Sequence, residues 1–326
     1  MPHPRGPAAA RGLRAHLPLP LSLHQAAEGA ALAAQSLILA VVGPTASGKT
    51  RLALELARRV GGEILSADMG QLYRRLDAGT AKPEPSEVPY HLIDVLDPAE
   101  ASDAGSYARL ARPVLEDALG RGKVPIVAGG TGLYVRALLE GLDELPKADP
   151  ALRKRLEARG PSALRAELER ADPAAAAKIP AGQLPRVLRA LEVLELTGRP
   201  ISSFWSRPRA AERVAYLGLD WTPEALRGRI RERAEAMFPR MIAEVRALVP
   251  SPLTGEEPAF RCLGYPQALA CARGELSQGE GLAAMIAATN AYARRQRTWF
   301  RNQTPTSWLS PEADADEALR RIGWSA

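Results

Sequence analysis

Cysteine is scarce in this chain: only Cys262 and Cys271 occur among 326 residues, and their spacing fits no metal-ligand pattern. A thiolate-built zinc site is excluded, and both thiols are expected as small buried apolar groups. So little cysteine suits a reducing cytosol. No stretch approaches the ~20 apolar residues of a membrane-spanning helix, so no membrane partner is expected. No internal repeat is apparent. Acidic residues are missing before Glu28, while Arg5, Arg11 and Arg14 make the Ala-rich start basic. A transit or export signal would share that composition, but prolines break LPLPLSL and leave no continuous apolar core for one. Residues 1–36 are therefore expected to be a disordered N-terminal extension, or to follow from a start codon placed too early, and to lie outside the fold.

What is present is an ordinary globular composition, 46% hydrophobic and 25% charged, with length enough for a sizeable core. A net charge of +6 permits a nucleic-acid partner without requiring one. The strongest signal is Leu37 to Val60. LILAVV reads as a buried strand of a parallel sheet. GPTASGKT, Gly43-Pro44-Thr45-Ala46-Ser47-Gly48-Lys49-Thr50, fits the G-x-x-x-x-G-K-S/T phosphate loop, and an apolar helix opens directly out of it. Glycines let successive N–H groups turn inward around an anion, and the helix adds its positive end. Lys49 supplies a mobile charge for phosphate, and Thr50 a hydroxyl where Mg²⁺ would sit.

A second strand is expected over Glu63 to Ala67, which places Asp68 at the carboxyl edge of the sheet, where open α/β folds hold ligands. Asp68 there could bind a metal, accept a proton, or cap a helix beginning near Met69. Gln71 offers a donor and an acceptor suited to reading a base edge. His91, at the start of another short strand, reads as a hydrogen-bonded structural histidine. VPIVA is a further buried strand, yet Gly129, Gly130 and Thr131 stand where a kinase or GTPase would usually place a magnesium-binding Asp. From about Asp143 the composition turns to Ala, Arg, Glu and Leu in short helices joined by Pro and Gly, a helical insert rather than sheet. A strand YLGLDW then returns to the core, followed by a long helical pattern broken near Pro239, in which Arg229 and Arg233 share a face. Near the end, Arg294, Arg295, Arg297 and Arg301 surround Trp299 and Phe300, a pattern suited to RNA backbone contact and core anchoring. The expected architecture is an α/β fold, a phosphate-loop parallel sheet flanked by helices. Its first part spans 37–142, a helical insertion domain 143–220, and the rest of the core 221–326.

GPTASGKT, the Asp68-x-x-Gln71-x-Tyr73 segment, Gly79-Thr80-Ala81-Lys82-Pro83 and His91-Leu92-Ile93-Asp94 occur in that order, followed by VPIVAGGTGLYVRALLEGL, DPAAAAKI, RALEV, TGRP, RCLGYPQAL and RRQRTWFR. This ordered set, covering roughly residues 37 to 310, resembles the bacterial tRNA dimethylallyltransferases, also called tRNA isopentenyltransferases. The resemblance implies transfer of a dimethylallyl group from dimethylallyl diphosphate to N6 of the adenosine on the 3′ side of the tRNA anticodon, with Mg²⁺, in a cytoplasmic and monomeric enzyme. It assigns Asp68, Thr45 and Arg233 to catalysis, with Arg233 reaching the diphosphate, and Gly43 to Thr50 to diphosphate or nucleotide binding. To tRNA it assigns Asp68, Met69, Gly70, Gln71, Thr131, Arg153, Arg186, Arg189, Arg261, Gly264 and Tyr265. Two positions depart from the family pattern: Pro185 stands where Gln is usual, and Pro266 where Arg, Lys or Gln is commoner. The same loop could serve a small-molecule kinase, a non-catalytic RNA-binding protein, or prenyl transfer to a free adenine nucleotide. The missing strand-end Asp weighs against the first, intact Lys49, Thr50 and Asp68 against the second, and the helical insert with its basic partner helix against the third.

Overall fold

A computed structural model describes residues 37–141, 145–205 and 213–324; the extension expected over residues 1–36 lies outside them. Strand β1 (Leu37–Val42) is buried almost throughout, because it sits inside a parallel sheet covered on both faces. Its side chains alternate. Leu39 and Val41 pack with Leu52 and Leu56 of α1 (Lys49–Val60) on one face, whereas Ile38, Ala40 and Val42 enter the larger core on the other. The sheet continues with β2 (Glu63–Ser66), β3 (Tyr90–His91) and β4 (Pro125–Gly129). It is completed by β5 (Arg213–Leu219) and β6 (Ser307–Leu309). Six strands run in the order β3-β2-β4-β1-β5-β6, every pairing parallel. Helix α2 (Ala104–Gly120) precedes β4, and α3 (Gly132–Leu139) follows it.

Four helices, α4 (Pro150–Glu157), α5 (Pro161–Ala171), α6 (Pro173–Lys178) and α7 (Leu184–Thr197), lie in the chain between α3 and β5 and share their own apolar core. Leu152, Leu164, Leu168, Val187 and Leu191 are buried in it. The insert is shorter than expected, since Arg213–Leu219 pairs with β1 in the main sheet; its end falls before Arg213 and not at 220. A buried carboxylate ties its entrance. Glu192, 0% exposed, accepts the Asp149 N–H at 2.8 Å and an Arg189 N–H at 2.6 Å.

Two long helices complete the main core: α8 (Pro223–Leu248) and α10 (Gln278–Gln303), with α9 (Tyr265–Ala272) between them and α11 (Ala315–Arg321) near the chain's end. Helix α8 runs through Pro239 without the break that proline predicts. A mid-helix proline costs about 3 kcal/mol or more. Here Phe238 and Met241, both 0% exposed on adjacent turns, anchor the helix in the core, and their burial outweighs that local cost. Among the described residues no helix is long and apolar enough to cross a membrane.

Strand β2, which carries Asp68 just beyond its end, is held by Glu63. This buried carboxylate accepts from Arg121 Nη2 at 2.7 Å and lies 2.9 Å from His91 Nε2, which makes His91 the structural residue expected. The Arg121 bonds, more than the proximity of His91, hold the Glu63 carboxyl down to about 2. A carboxyl depressed below its ordinary 4.5 stabilises the fold fully above that value and loses its contribution as pH falls toward about 2. Glu63→Gln should therefore lower the melting temperature at neutral pH, and the gap from the parent protein should close on acidification through that window.

Candidate active site

The phosphate loop leaves β1 at Gly43, whose φ of +132° no side chain adopts easily, and enters α1 through Gly48 at φ +96°. Three of its carbonyls are held by side chains. Pro44 O accepts from Lys49 Nζ at 2.6 Å, Ala46 O from Arg229 Nε at 2.8 Å, and Ser47 O from Trp221 Nε1 at 2.8 Å. Among the described residues no protein acceptor engages the N–H groups of Ala46, Ser47 or Gly48. Ser47 Oγ is buried and likewise has no protein partner. Unengaged amides and a hydroxyl, beside carbonyls already bonded to side chains, make an anion nest. Ala46 is left at φ +63°, and Ala81 on the facing loop at +48°. These strained non-glycine backbones both line the same cavity, where such strain is commonly concentrated.

That cavity, about 420 Å³, collects Thr45, Ala46, Ser47, Gly48, Lys49, Thr50, Asp68, Gln71 and Arg233 of the expected site. Three cations, Lys49, Arg229 and Arg233, face two carboxylates, Asp68 and Glu232, so the lining charge favours an anion. Burial pulls the Lys49 ammonium down to about 8; Asp68 resists that shift and Arg233 adds to it. The Arg233 guanidinium is also lowered, mainly by burial, with Asp68 opposing and Arg229 contributing. Lys49, Asp68 and Arg233 thus meet at one cavity, although they come from α1, the end of β2 and α8. Arg233 Nε meets Met237 Sδ at 3.2 Å. Tyr90 of β3 adds a phenol whose pKa is raised by burial and by Asp68.

Asp68 braces a turn and also lines the cavity. Its Oδ1 accepts the Gly70 N–H at 3.0 Å, capping a single 3₁₀ turn (Gly70–Leu72) in place of the longer helix expected there, while the residue lines the cavity. Met69 N donates to Thr131 Oγ1 at 3.3 Å, which draws Thr131 to the Asp68 side of the site. Gly70 is buried, with Thr80 packed against it. Gln71 lines the cavity, but its amide is engaged within the protein. It is 6% exposed, its carbonyl accepts Ser66 Oγ at 2.7 Å, and its amide donates to Thr80 O and Ala81 O at 3.4 and 3.0 Å. A saturated buried amide shapes the 79–83 loop instead.

The expected tRNA contacts divide in the same way. Arg153 reaches Pro185 O at the start of α7, beside exposed Arg186, so these two form one basic corner of the insert. Arg189 is different: its guanidinium is bound to Glu192 and to Pro146 O inside the insert. Arg261 is exposed on a 3₁₀ turn (Pro258–Arg261) and faces a second, separate pocket. Tyr265 is 0% exposed; its hydroxyl donates to Glu244 Oε1 at 2.7 Å and accepts from Gly79 N at 3.2 Å. Gly264 is buried at φ +89°, where an added Cβ would lie 2.8 Å from Met241. Gly264 and the Tyr265 side chain are thus packed in the core. On α10, Arg297 and Arg301 pair with Asp220 at 3.1 and 2.7 Å, which leaves Arg294 and Arg295 as its exposed cations.

Sequence reasoning missed one further participant. Gln296 of α10, 5% exposed, accepts the Thr45 N–H at 2.8 Å and donates to Gly130 O at 2.8 Å. The only local signal was a polar residue on the buried stripe of an amphipathic helix.

Thr50 and Asp68 offer hard oxygen donors to the same cavity as the anion nest, a donor set that fits Mg²⁺ carried largely by phosphate oxygens and water. Among the described residues no cluster of three or more His, Cys, Asp or Glu could hold a metal by itself.

Comparison with known proteins agrees with this geometry. The family described as IPP transferase matches residues 71–303, and that described as isopentenyl transferase matches residues 36–91. A tRNA dimethylallyltransferase of Salinispora arenicola is 44% identical over 296 residues, 87% of this chain and 86% of that protein. One from Anaeromyxobacter dehalogenans is 45% identical over 87% of this chain and 98% of its own length. Among solved structures, the full-length tRNA isopentenylpyrophosphate transferase of Bacillus halodurans superposes with a TM-score of 0.65 at 34% identity, covering 88% of this chain and 94% of that one.

Because Lys49 is charged below about 8 and neutral above it, the free protein should bind inorganic diphosphate less tightly as pH rises through that value. A bound anion favours the ammonium form, so binding in this range should take up a proton. Calorimetric titration in buffers of different ionisation enthalpy checks both. Lys49→Ala should lose this part of the pH dependence and retain that of the ligand.

Proposed function

The chain belongs to the tRNA dimethylallyltransferase family of prenyl transferases, and we propose that its donor is dimethylallyl diphosphate and its acceptor N6 of the adenosine 3′ to the anticodon. The observation that carries this reading is the joining of Lys49, Asp68 and Arg233 around one cavity floored by a phosphate loop. In the reaction the donor C1–O bond breaks heterolytically, its electron pair leaves with the diphosphate, and the N6 lone pair forms the new N–C bond. The nitrogen then sheds one proton.

The loop amides and Lys49 bind the diphosphate and hold the negative charge that grows on it, and Arg233 offers a permanently charged fork to the same oxygens. Mg²⁺, held by Thr50 with Asp68 nearby, would supply further charge neutralisation to the leaving group. Thr45, which lines the same cavity, belongs to the catalytic set. Asp68 orients the amine and accepts its proton as the nitrogen turns cationic. An exocyclic adenine amine is a weak nucleophile, so placement beside the electrophilic carbon matters more than base strength. The base must leave its stack to reach this site. The basic corner of Arg153 and Arg186, together with Arg294 and Arg295, supports a polyanionic acceptor over a free nucleotide. A kinase reading is disfavoured sterically. A side chain at Gly129 would begin 2.2 Å from Ala67 O, so the strand-end Asp of such enzymes has no room.

Asp68→Asn preserves the cap, because Asn caps about as well. It should lower the single-turnover rate with tRNA and dimethylallyl diphosphate by roughly 10²–10⁴-fold while leaving the melting curve in place. A parental rate in Asp68→Asn, with the melting curve in place, would reduce Asp68 to a cap. On the RNA side, neutralising Arg153 and Arg186 together should raise the KM for tRNA and flatten the salt dependence of binding, since fewer counterions are released. Arg189→Ala should instead lower the melting temperature with the salt slope unchanged.

A further inference from the structure

One buried amide joins the two halves of the site. Gln296 Oε1 accepts the Thr45 N–H of the phosphate loop, and Gln296 Nε2 donates to Gly130 O at the β4–α3 corner, both at 2.8 Å. The residues it connects are 166 and 251 positions away in sequence, so nothing local supplies the link. Gly130 permits it, because a Cβ there would sit 2.1 Å from Gln296 Nε2. Four residues earlier on the same helix face, Tyr292 lies against both Thr131 and Gln296, and burial and Asp68 raise its phenol pKa. Asp68 and Thr131 belong to the acceptor side, Thr45 and Lys49 to the donor side.

We propose that Gln296 is a positioning residue for prenyl transfer: it sets the separation between the phosphate loop and the acceptor corner, and so the distance from the donor carbon to the attacking amine. The physical case rests on the geometry of the amide. A Gln side chain offers one acceptor and a two-proton donor a fixed distance apart, so bonding a loop N–H with one end and a corner carbonyl with the other fixes the spacing of the two segments. Both bonds are buried, where an unmade partner is costly and geometry is correspondingly well determined. The Thr45 N–H is also withdrawn from the anion nest, which leaves binding of the diphosphate to the later loop amides, Ser47 and Lys49. Gln296 therefore acts on the rate of transfer and not on the affinity for the anion.

This inference rests on the prenyl-transfer reading, and the test separates the two. Gln296→Met conserves length and bulk but makes neither bond. Single-turnover transfer with saturating tRNA and dimethylallyl diphosphate should show a rate constant lower by about 10–100-fold, the scale on which sub-ångström to ångström misplacement acts. Affinity for inorganic diphosphate, measured by titration, should stay at the parent value. A residue that only supports the fold would lower the reaction amplitude and the melting temperature at a parental rate constant, and that result would overturn the proposal. Diphosphate affinity falling in step with the rate would overturn it as well, by making Gln296 part of the anion nest. Gly130→Ala displaces the amide from the opposite end: the added Cβ would begin 2.1 Å from Gln296 Nε2, with Gly43 O of the loop farther off at 3.3 Å. It should reproduce the slowed rate constant even if Gln296→Met does not fold, and a parental rate in Gly130→Ala would refute the clamp. Absence of transfer by the unmutated protein would instead refute the prenyl-transfer reading itself.

Discussion

Charge that is not neutralised within the protein is the constraint on which this architecture depends. Lys49 and Arg233 are carried into a cavity where burial lowers the pKa of both, with Asp68 the carboxylate that opposes the shift in each. Leaving two cations partly desolvated is unfavourable in the free protein, and their mutual repulsion adds to that cost. The arrangement is held because α1, β2 and α8 are fastened to the core on either side of it, by Leu52 and Leu56, by the Glu63–Arg121 pair, and by Phe238 and Met241. An anion of high charge density relieves the strain. The site is organised for such an anion before it arrives, which is the electrostatic preorganisation that phosphate chemistry needs.

The same core sorts the abundant arginines into two populations. Arg121, Arg189, Arg297 and Arg301 are each bound to carboxylates that fix a strand end, the insert's entrance or the C-terminal helix. Arg153, Arg186, Arg294 and Arg295 stay at the surface or near it, on the insert and on α10. Only the second population can release counterions from RNA. The net charge of +6 is therefore a poor guide to the RNA surface, because it counts both kinds alike.

The glycines of the sheet edge perform a related division. Gly129 lies so close to Ala67 that the β2 and β4 ends approach backbone to backbone, which brings Asp68 and Thr131 together. Gly130 admits Gln296, and Gly70 admits Thr80. Close approach at these points takes the place of the metal-binding Asp found at such edges in other phosphate-loop enzymes.

Much of this was legible from residue order alone. The strand–loop–helix of Leu37 to Val60, the anion nest, the place of Asp68 at a strand end and the helical character of the insert follow from local pattern, because each depends on neighbours within a few residues. The ordered motifs identified the family on the same local basis. Tertiary structure decided everything that depends on partners far along the chain. Gln71 and Tyr265 carry polar groups suited to ligands, but burial against Ser66, Ala81 and Glu244 saturates them. Arg189 differs from Arg186 by three positions, less than one helical turn, and only the location of Glu192 separates a structural cation from a surface one. Pro239 reads as a helix break until the packing of Phe238 and Met241 is known. Gln296 reads as one polar residue among arginines until the fold sets it between Thr45 and Gly130. A side chain's chemistry is written in the sequence, whereas its availability depends on what the fold places against it, since a buried donor or acceptor that has found its partner no longer has a bond to offer a substrate.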